Sequence, residues 1–512
     1  MAIDSIQIAT PSARNPLQFF SLGLMALAIL VAIFFMGYTS DYLESYPYLF
    51  LLPWVIALGA VISTPSVILY YRGKFSFADP LVFATWSYFF PAFVIGGVMF
   101  SVGLSKPHFI SLIQDAKETL PLTIILIGLG FTGLSIGYFL PLGAKIGSLI
   151  GDKLPVTDYP SRSFAVPGVV LLVLGVIISV AAFSIGIFGY QKNDEMSSYD
   201  GIIFLTTLFW MQASFLLWYI IFRQRKIDVF YIPVLALLVS TSLLKALYSG
   251  SRGSVLSIFT IIALAYILAG RRFKLKQMTF ASGLLAVGLI CGMIYGSTFR
   301  QIKGTESDQS ADLYSENILR TFDQVGRSDL SESLDFGFSN FAERIDLVST
   351  VAVVVSSYEQ LKPYEEAYGL DNNIWIDTTT FFIPRVFWTD KPSASDPRKY
   401  SDLYFNYGDS SYAITPIGDL LRNYGIIGVP IGMFILGIII RLIYRALVEG
   451  QKPSVWRITF YFMLLMSVSY EGFYGTIIPN FFKYGFTALL GIVIVNFMAK
   501  RFDSRSNSQL TV

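Results

Sequence analysis

The stretch IIGVPIGMFILGIIIRLIYRA, residues 426–446, decides what kind of protein this is. Its first fifteen positions carry no charge. A helix of roughly 20 such residues crosses the hydrocarbon of a bilayer. Arg441 and Arg445 then close the run at one end, where a span meets a cytoplasmic loop. Outward from this stretch the pattern recurs along most of the chain. Expected spans are 19–36, 50–70, 81–102, 120–140, 166–188, 202–222, 229–247, 254–268, 278–295, 426–446, 456–470 and 476–498. The prediction is therefore an all-α polytopic membrane protein with about twelve transmembrane helices, because a lipid-facing backbone must satisfy its own hydrogen bonds.

Composition agrees. Of 512 residues, 54% are apolar and 14% are charged, against about 25% charged in a soluble protein. Mean hydropathy is +0.59. A disordered chain and a collagen-like fibre are excluded, and a soluble core of this length could not internalise so much apolar surface. The single cysteine, Cys291, lies in an apolar run and reads as a packing residue; no intrachain disulfide can form. With one histidine, His108, a zinc site of His and Cys is ruled out by arithmetic. The net charge of +2 implies no nucleic-acid partner.

Charges between spans fix the expected orientation. Of 37 Lys and Arg, 20 fall in the termini and in loops on one side, among them Arg72, Lys74, Lys145, Lys153, Arg271, Lys452 and Arg457. Short loops opposite hold Lys106, Lys117, Lys192, Lys245 and Arg252. By the positive-inside rule both termini are cytoplasmic. The expected organisation is spans one to nine with short loops over 1–295, a large external loop over 296–425, spans ten to twelve over 426–498, and a cytoplasmic tail over 499–512. Within the loop, 338–361 reads as a helix capped by Ser339 or Asn340 and stopped by Pro363, with Ile345, Val348, Val351 and Val355 on one face; it is expected to lie on the membrane or dip into it.

No P-loop, dinucleotide fingerprint, nucleophile elbow or haem and iron–sulfur ligand set occurs, and no metal or cofactor is expected. Catalysis, if present, must use carboxylates, Arg, Lys and Tyr. Three sequences stand out. S-G-S-R-G-S at 249–254 joins two spans at the external face, where Arg252 and a helix N-terminus make an anion site; a tight hairpin with a snorkelling Arg is the plainer alternative. F-F-I-P-R-V-F-W-T-D-K-P at 381–392 sets Arg385, Asp390 and Lys391 among aromatics that include Trp388, which suits a sugar ring or the membrane interface. F-A-E-R-I-D at 341–346 places Arg344 between Glu343 and Asp346, either as surface charge or as an Arg held for phosphate. Among weaker features, Lys483 is an ionisable group within a span and Glu471 is its candidate partner; Gly428 and Gly432 form a G-x-x-x-G that reads as helix packing.

These cations over a polytopic bundle suit an anionic lipid headgroup. A diphosphate leaving group needs charge stabilisation, which Arg supplies with a bidentate fork. The three motifs, in this order and followed by A-I-T-P-I-G-D at 413–419, resemble those of the O-antigen and exopolysaccharide repeat-unit polymerases of the Wzy type. The resemblance covers the chain from about the seventh to the tenth span. It implies a GT-C-like membrane glycosyltransferase bundle in the bacterial inner membrane, acting on the periplasmic face. The implied substrate is a polyprenyl-pyrophosphate-linked oligosaccharide, with a chain-length regulator and a flippase as candidate partners. The family's donor-binding arginines map to Arg252, Arg344 and Arg385, with Lys391 and Trp388 beside them. For the general base the candidates are Asp346, Asp390, Asp419 and Glu343. Two alternatives stand against this reading. An O-antigen ligase is expected to use a loop histidine, and 296–425 has none. A lipid-linked oligosaccharide flippase predicts internal repeats, which the sequence does not display.

Overall fold

The computed structural model describes residues 47–155, 161–185, 199–224, 228–249, 252–303, 311–327, 330–392, 394–408 and 411–509. Among these, every regular element is helical. Eight helices are long and apolar enough to cross a membrane: Leu49–Tyr71, Pro80–Ser101, Ala116–Phe139, Ala165–Ser184, Gly201–Arg223, Thr279–Gly296, Thr415–Leu447 and Tyr474–Arg501. Three shorter apolar helices, Tyr231–Leu247, Gly253–Leu268 and Val455–Ser467, fall on three more of the expected spans. The expected span 19–36 lies outside the described residues. Cys291 is exposed rather than packed in the interior.

In chain order the helices are α1 (Leu52–Tyr71), α2 (Pro80–Ser101), α3 (Ala116–Phe139), α4 (Pro141–Lys153), α5 (Ala165–Ser184), α6 (Asp200–Arg223), α7 (Tyr231–Ser249), α8 (Arg252–Leu268) and α9 (Leu275–Lys303). There follow α10 (Ala311–Arg327), α11 (Leu330–Ile345), α12 (Leu347–Tyr368), α13 (Asn373–Thr380), α14 (Pro397–Phe405), α15 (Thr415–Leu447), α16 (Val455–Ser467) and α17 (Ile477–Gln509). The segment 296–425 is thus mainly helical. Within α2, residues Thr85–Ile95 wind as a π-helix around Pro91.

The opening stretch forms the straight part of α15, and α3 lies against it at backbone distance. A Cβ on Gly137 would stand 2.0 Å from the Phe434 carbonyl oxygen, and one on Gly437 would stand 2.1 Å from that of Leu134. Small residues permit this approach, which dispersion rewards in lipid where burial alone gives little. Gly428 and Gly432 play another part than the expected packing of two helices. Gly425 has φ 69° and ψ −169° and breaks the helix. A Cβ on Gly432 would then meet Leu420 Cδ2 at 2.3 Å. In a straight helix twelve residues span about 18 Å. Residues 415–424 therefore fold back over the outer part of their own span, and Gly428 and Gly432 make room for them.

The expected helix 338–361 is two helices. Asp346 breaks it with extended backbone and caps α12, accepting from Ser349 N at 3.1 Å. A Cβ on Gly96 of α2 would fall 2.5 Å from the Ile345 carbonyl oxygen, so the break presses against that span. Nor does α12 lie on a surface. Every residue from Leu347 to Val354 is buried, which places the first half of this helix inside the bundle against α2, α3 and α15, while much of the second half is exposed. It runs through Pro363 and ends at Gly369, whose φ of 66° is a left-handed C-terminal turn.

Side-chain contacts sort the connecting segments into two ends. At one, Lys74 meets Glu449 at 3.3 Å, Arg457 reaches the carbonyls of Gly151 and Leu154 at 2.9 and 2.6 Å, and Arg271 reaches that of Phe222 at 2.8 Å. At the other, here the loop end, Ser105 bonds Asp346 at 3.0 Å, Gln114 bonds Gln360 at 3.2 Å, and Arg344 bonds Glu471 at 3.1 Å. Each group pairs residues from segments that the charge alternation assigns to one side.

Candidate functional site

The loop end is organised around a buried arginine. Arg422, on the folded-back turn of α15, donates from Nε to Asp419 at 3.0 Å. Its Nη1 reaches Glu365 of α12 and the Leu370 carbonyl, both at 2.9 Å, and Nη2 reaches Asn373 Oδ1 at 2.6 Å. The second oxygen of Asp419 accepts from Asn373 Nδ2 at 3.2 Å and from the Gly475 amide at 3.1 Å. A buried charge is tolerable only when so completely paired. The network ties α12, α13, α15 and the turn before α17 into one body. Asp419, one of the candidate bases, is buried with both oxygens bonded in it.

From its anchor at Asn373, α13 runs out of this body to Thr380. Gly475 lets it approach closely, since a Cβ there would stand 2.9 Å from Ile374 Cα. The aromatic loop 381–392 follows. Lys391 folds back to cap the end of α13, donating to the carbonyls of Thr380 at 2.8 Å and Ile383 at 3.1 Å. The ring of Phe381 packs edge-on against Phe482 of α17, centroids 5.1 Å apart. These two contacts bring Arg385 and Lys391 into electrostatic reach of Lys483, the neighbour of Phe482. Lys391 has its ammonium pushed down by partial burial and by the like charges of Lys483 and Arg385, with Asp377 acting the other way. Asp377, on α13, is half-buried and accepts a short hydrogen bond from Ser395 Oγ. Its carboxyl is pushed up, first by burial and then by Asp419, while Ser395, Lys483 and Lys391 oppose the rise. Three cations and one carboxylate thus gather on the face of α17 where Phe482, Phe486 and Leu489 are exposed.

A second group surrounds Arg344. This side chain is exposed and pairs with Glu471, which accordingly is not the partner of Lys483. Glu343 is half-buried; burial pushes its carboxyl up and His108 eases it down. His108 Nε2 lies 2.8 Å from Tyr412 Oη. Asp346 is fully buried between Ser349 and Ser105, and burial pushes its carboxyl up to about 6. Asp390 and Trp388 occupy the exposed tip of the aromatic loop. Arg252 begins α8, and its side chain, with residues 250 and 251 of the same turn, lies outside the described residues. Among the described residues Arg344 pairs with Glu471, whereas Arg385 lies in electrostatic reach of Lys391 and Lys483. The 470–483 hairpin runs between the two groups, giving Glu471 to that of Arg344 and Lys483 to that of Arg385. An apolar cavity lined by Pro80, Ile440, Tyr461, Tyr470 and Phe481 touches none of these cations.

Two members of the Arg385 group escape a reading of sequence alone in that role. Lys483 is visible as a charge inside a span, but not its neighbours. Asp377 sits in N-I-W-I-D-T-T-T, with no charge near it in sequence and its hydrogen-bond partner 18 residues away.

A family described as Domain of unknown function (DUF8712) matches residues 166–448, a stretch that holds Arg252, Arg344, Asp377, Arg385 and Lys391 and stops short of Lys483. No curated protein matches the chain, and no solved structure does. The family match takes in more than half of the 512 residues, and the chain belongs to the DUF8712 family.

Proposed function

We propose that this protein is a membrane glycosyltransferase that polymerises polyprenyl-pyrophosphate-linked oligosaccharide units into O-antigen or exopolysaccharide. On this reading it crosses a bacterial inner membrane about twelve times in a GT-C-like bundle, with both termini cytoplasmic and the loop end periplasmic. The observation that carries the proposal is the convergence of Arg385, Lys391 and Lys483 beside the exposed apolar face of α17. Cations there can hold the diphosphate of a lipid-linked donor while its hydrocarbon chain lies along the helix in lipid. They meet the negative charge that develops as the donor sugar leaves its diphosphate. Aromatic side chains next to them, Phe381 and Trp388, offer apolar faces to a sugar ring. Arg344 and Arg252 complete the anion-binding set in the proposal, Arg344 being exposed on its ion pair with Glu471.

The test is genetic and chemical. Deletion of the gene should abolish polymer and leave single lipid-linked repeat units on the periplasmic leaflet. Complementation with Arg385→Ala should restore the protein level and cut polymer by roughly 10²–10³-fold, the usual cost of one donor to a developing oxyanion. Normal polymer in the deletion strain removes the proposal. Units trapped on the cytoplasmic leaflet replace it with a flippase, and polymer made but left unattached replaces it with a ligase.

A further inference from the structure

A directed chain of hydrogen bonds runs from the buried network to the cation cluster. Arg422 can only donate, so the oxygen of Asn373 faces it at 2.6 Å. The Asn373 amide group must then point the other way, and it donates to Ser395 Oγ at 2.9 Å. With an oxygen lone pair taken, the Ser395 proton is left for Asp377 Oδ2. The series thus runs donor to acceptor from Arg422 to Asp377, where it ends, while the second proton of the Asn373 amide returns to Asp419 at 3.2 Å. Asp377 caps no helix: it is the fifth residue of α13. Its other oxygen is free of this series. The four carboxylates that the sequence offers as bases are differently placed. Asp346 and Asp419 are buried and fully bonded, Glu343 stands in the Arg344 group, and Asp390 is exposed on a loop tip.

We propose that Asp377 is the group that takes the proton from the attacking hydroxyl of the acceptor sugar, and that Ser395 is its positioning residue. This deepens the reading of the site given above and rests on it. The acceptor oxygen forms a bond to the anomeric carbon of the donor. The bond from that carbon to the diphosphate oxygen breaks, and its electron pair leaves with the diphosphate, whose charge Arg385, Lys391 and Lys483 meet. The hydroxyl proton passes to Asp377 and from there to water once the product has moved. Nothing is oxidised or reduced.

The groups facing Asp377 are Ser395 and Lys391 from the chain after α13, Lys483 from α17 and Asp419 from α15, with Arg385 acting on the two lysines. Burial and Asp419 hold its proton more tightly than an ordinary carboxylate, and Ser395 and the lysines loosen it. Activity should therefore rise with pH as Asp377 ionises. Removing the Ser395 donor should move that rise to higher pH. The experiment uses the full-length protein in vesicles with lipid-diphosphate-linked repeat units, and reads polymer formed against pH together with substrate binding. Asp377→Asn is expected to lose about 10²–10⁴-fold in turnover while still binding substrate, the range for a general base. Asp377→Glu is expected to recover part of it, and Ser395→Ala to shift the acid limb upward. Wild-type turnover in Asp377→Asn, or equal loss of turnover and binding, overturns the role of Asp377. An unmoved acid limb in Ser395→Ala overturns the positioning role. A wild-type protein that joins no units overturns the reaction itself, and Asp377 as its base with it.

Discussion

Arg422 and Arg385 illustrate how one residue type serves opposite ends. Arg422 is buried, with one guanidinium shared between Asp419 and Glu365. Two carboxylates against one cation leave an excess negative charge, which Asn373, the Gly475 amide and Tyr404 Oη offset by donating to them. Removing the cation strands both acids in the core. Arg422→Ala should therefore cost about 3–5 kcal/mol, as for other broken buried ion pairs. The loss is read as a lowered unfolding temperature of the purified protein in detergent, and an unchanged temperature would contradict it. Arg385 has no such cage and shares its surroundings with two other cations. In sequence each is a charge in a long segment between spans. What separates them is which distant residues fold against them, and charge type does not record that. The aromatic and proline setting of Arg385 does mark its loop, which is why the loop was legible and Asp377 was not.

At the scale of elements, hydropathy served well in the spans and poorly in 338–361. The face formed by Ile345, Val348, Val351 and Val355 reads as one apolar stripe, yet Ser349 at its flank and Thr350 on the far side are buried too. Small and hydroxyl-bearing residues pack helices against one another in membranes, so their low hydropathy gives no sign of burial. The break at Asp346 follows from the same packing, and its cap has a pH signature. The carboxyl has an ordinary value of 3.8 and is raised to about 6 in the fold, so folding takes up a proton. Its contribution is fully present below 3.8 and is lost as pH rises through about 6. Asp346→Asn keeps an oxygen for capping and cannot ionise. Relative to the wild type, this variant should gain stability between pH 4 and pH 7, by up to about 3 kcal/mol. Thermal unfolding at the two pH values measures the gain, and a constant difference would contradict it.

Across the whole molecule, lipid made the reading reliable. A bilayer admits helices of a certain length and apolarity, and both are written directly in sequence. Expected spans from the second onward accordingly fall on apolar helices, eight of them long enough to cross. The two ends of the bundle are defined by contacts such as Lys74 to Glu449 and Ser105 to Asp346. With the proposed orientation, a cysteine placed at Lys106 in a Cys291→Ser background should react with an impermeant maleimide in intact spheroplasts. One placed at Lys452 should react only after permeabilisation, and the reverse pattern would invert the topology. One feature of the loop end also has a practical side. His108 is the only imidazole in the 512 residues, and it stands exposed beside Tyr412 and within electrostatic range of Glu343. The molecule thereby carries its own spectroscopic reporter. In a proton spectrum of the histidine ring region a single pair of resonances belongs to this surface, and whatever settles there announces itself without a tag.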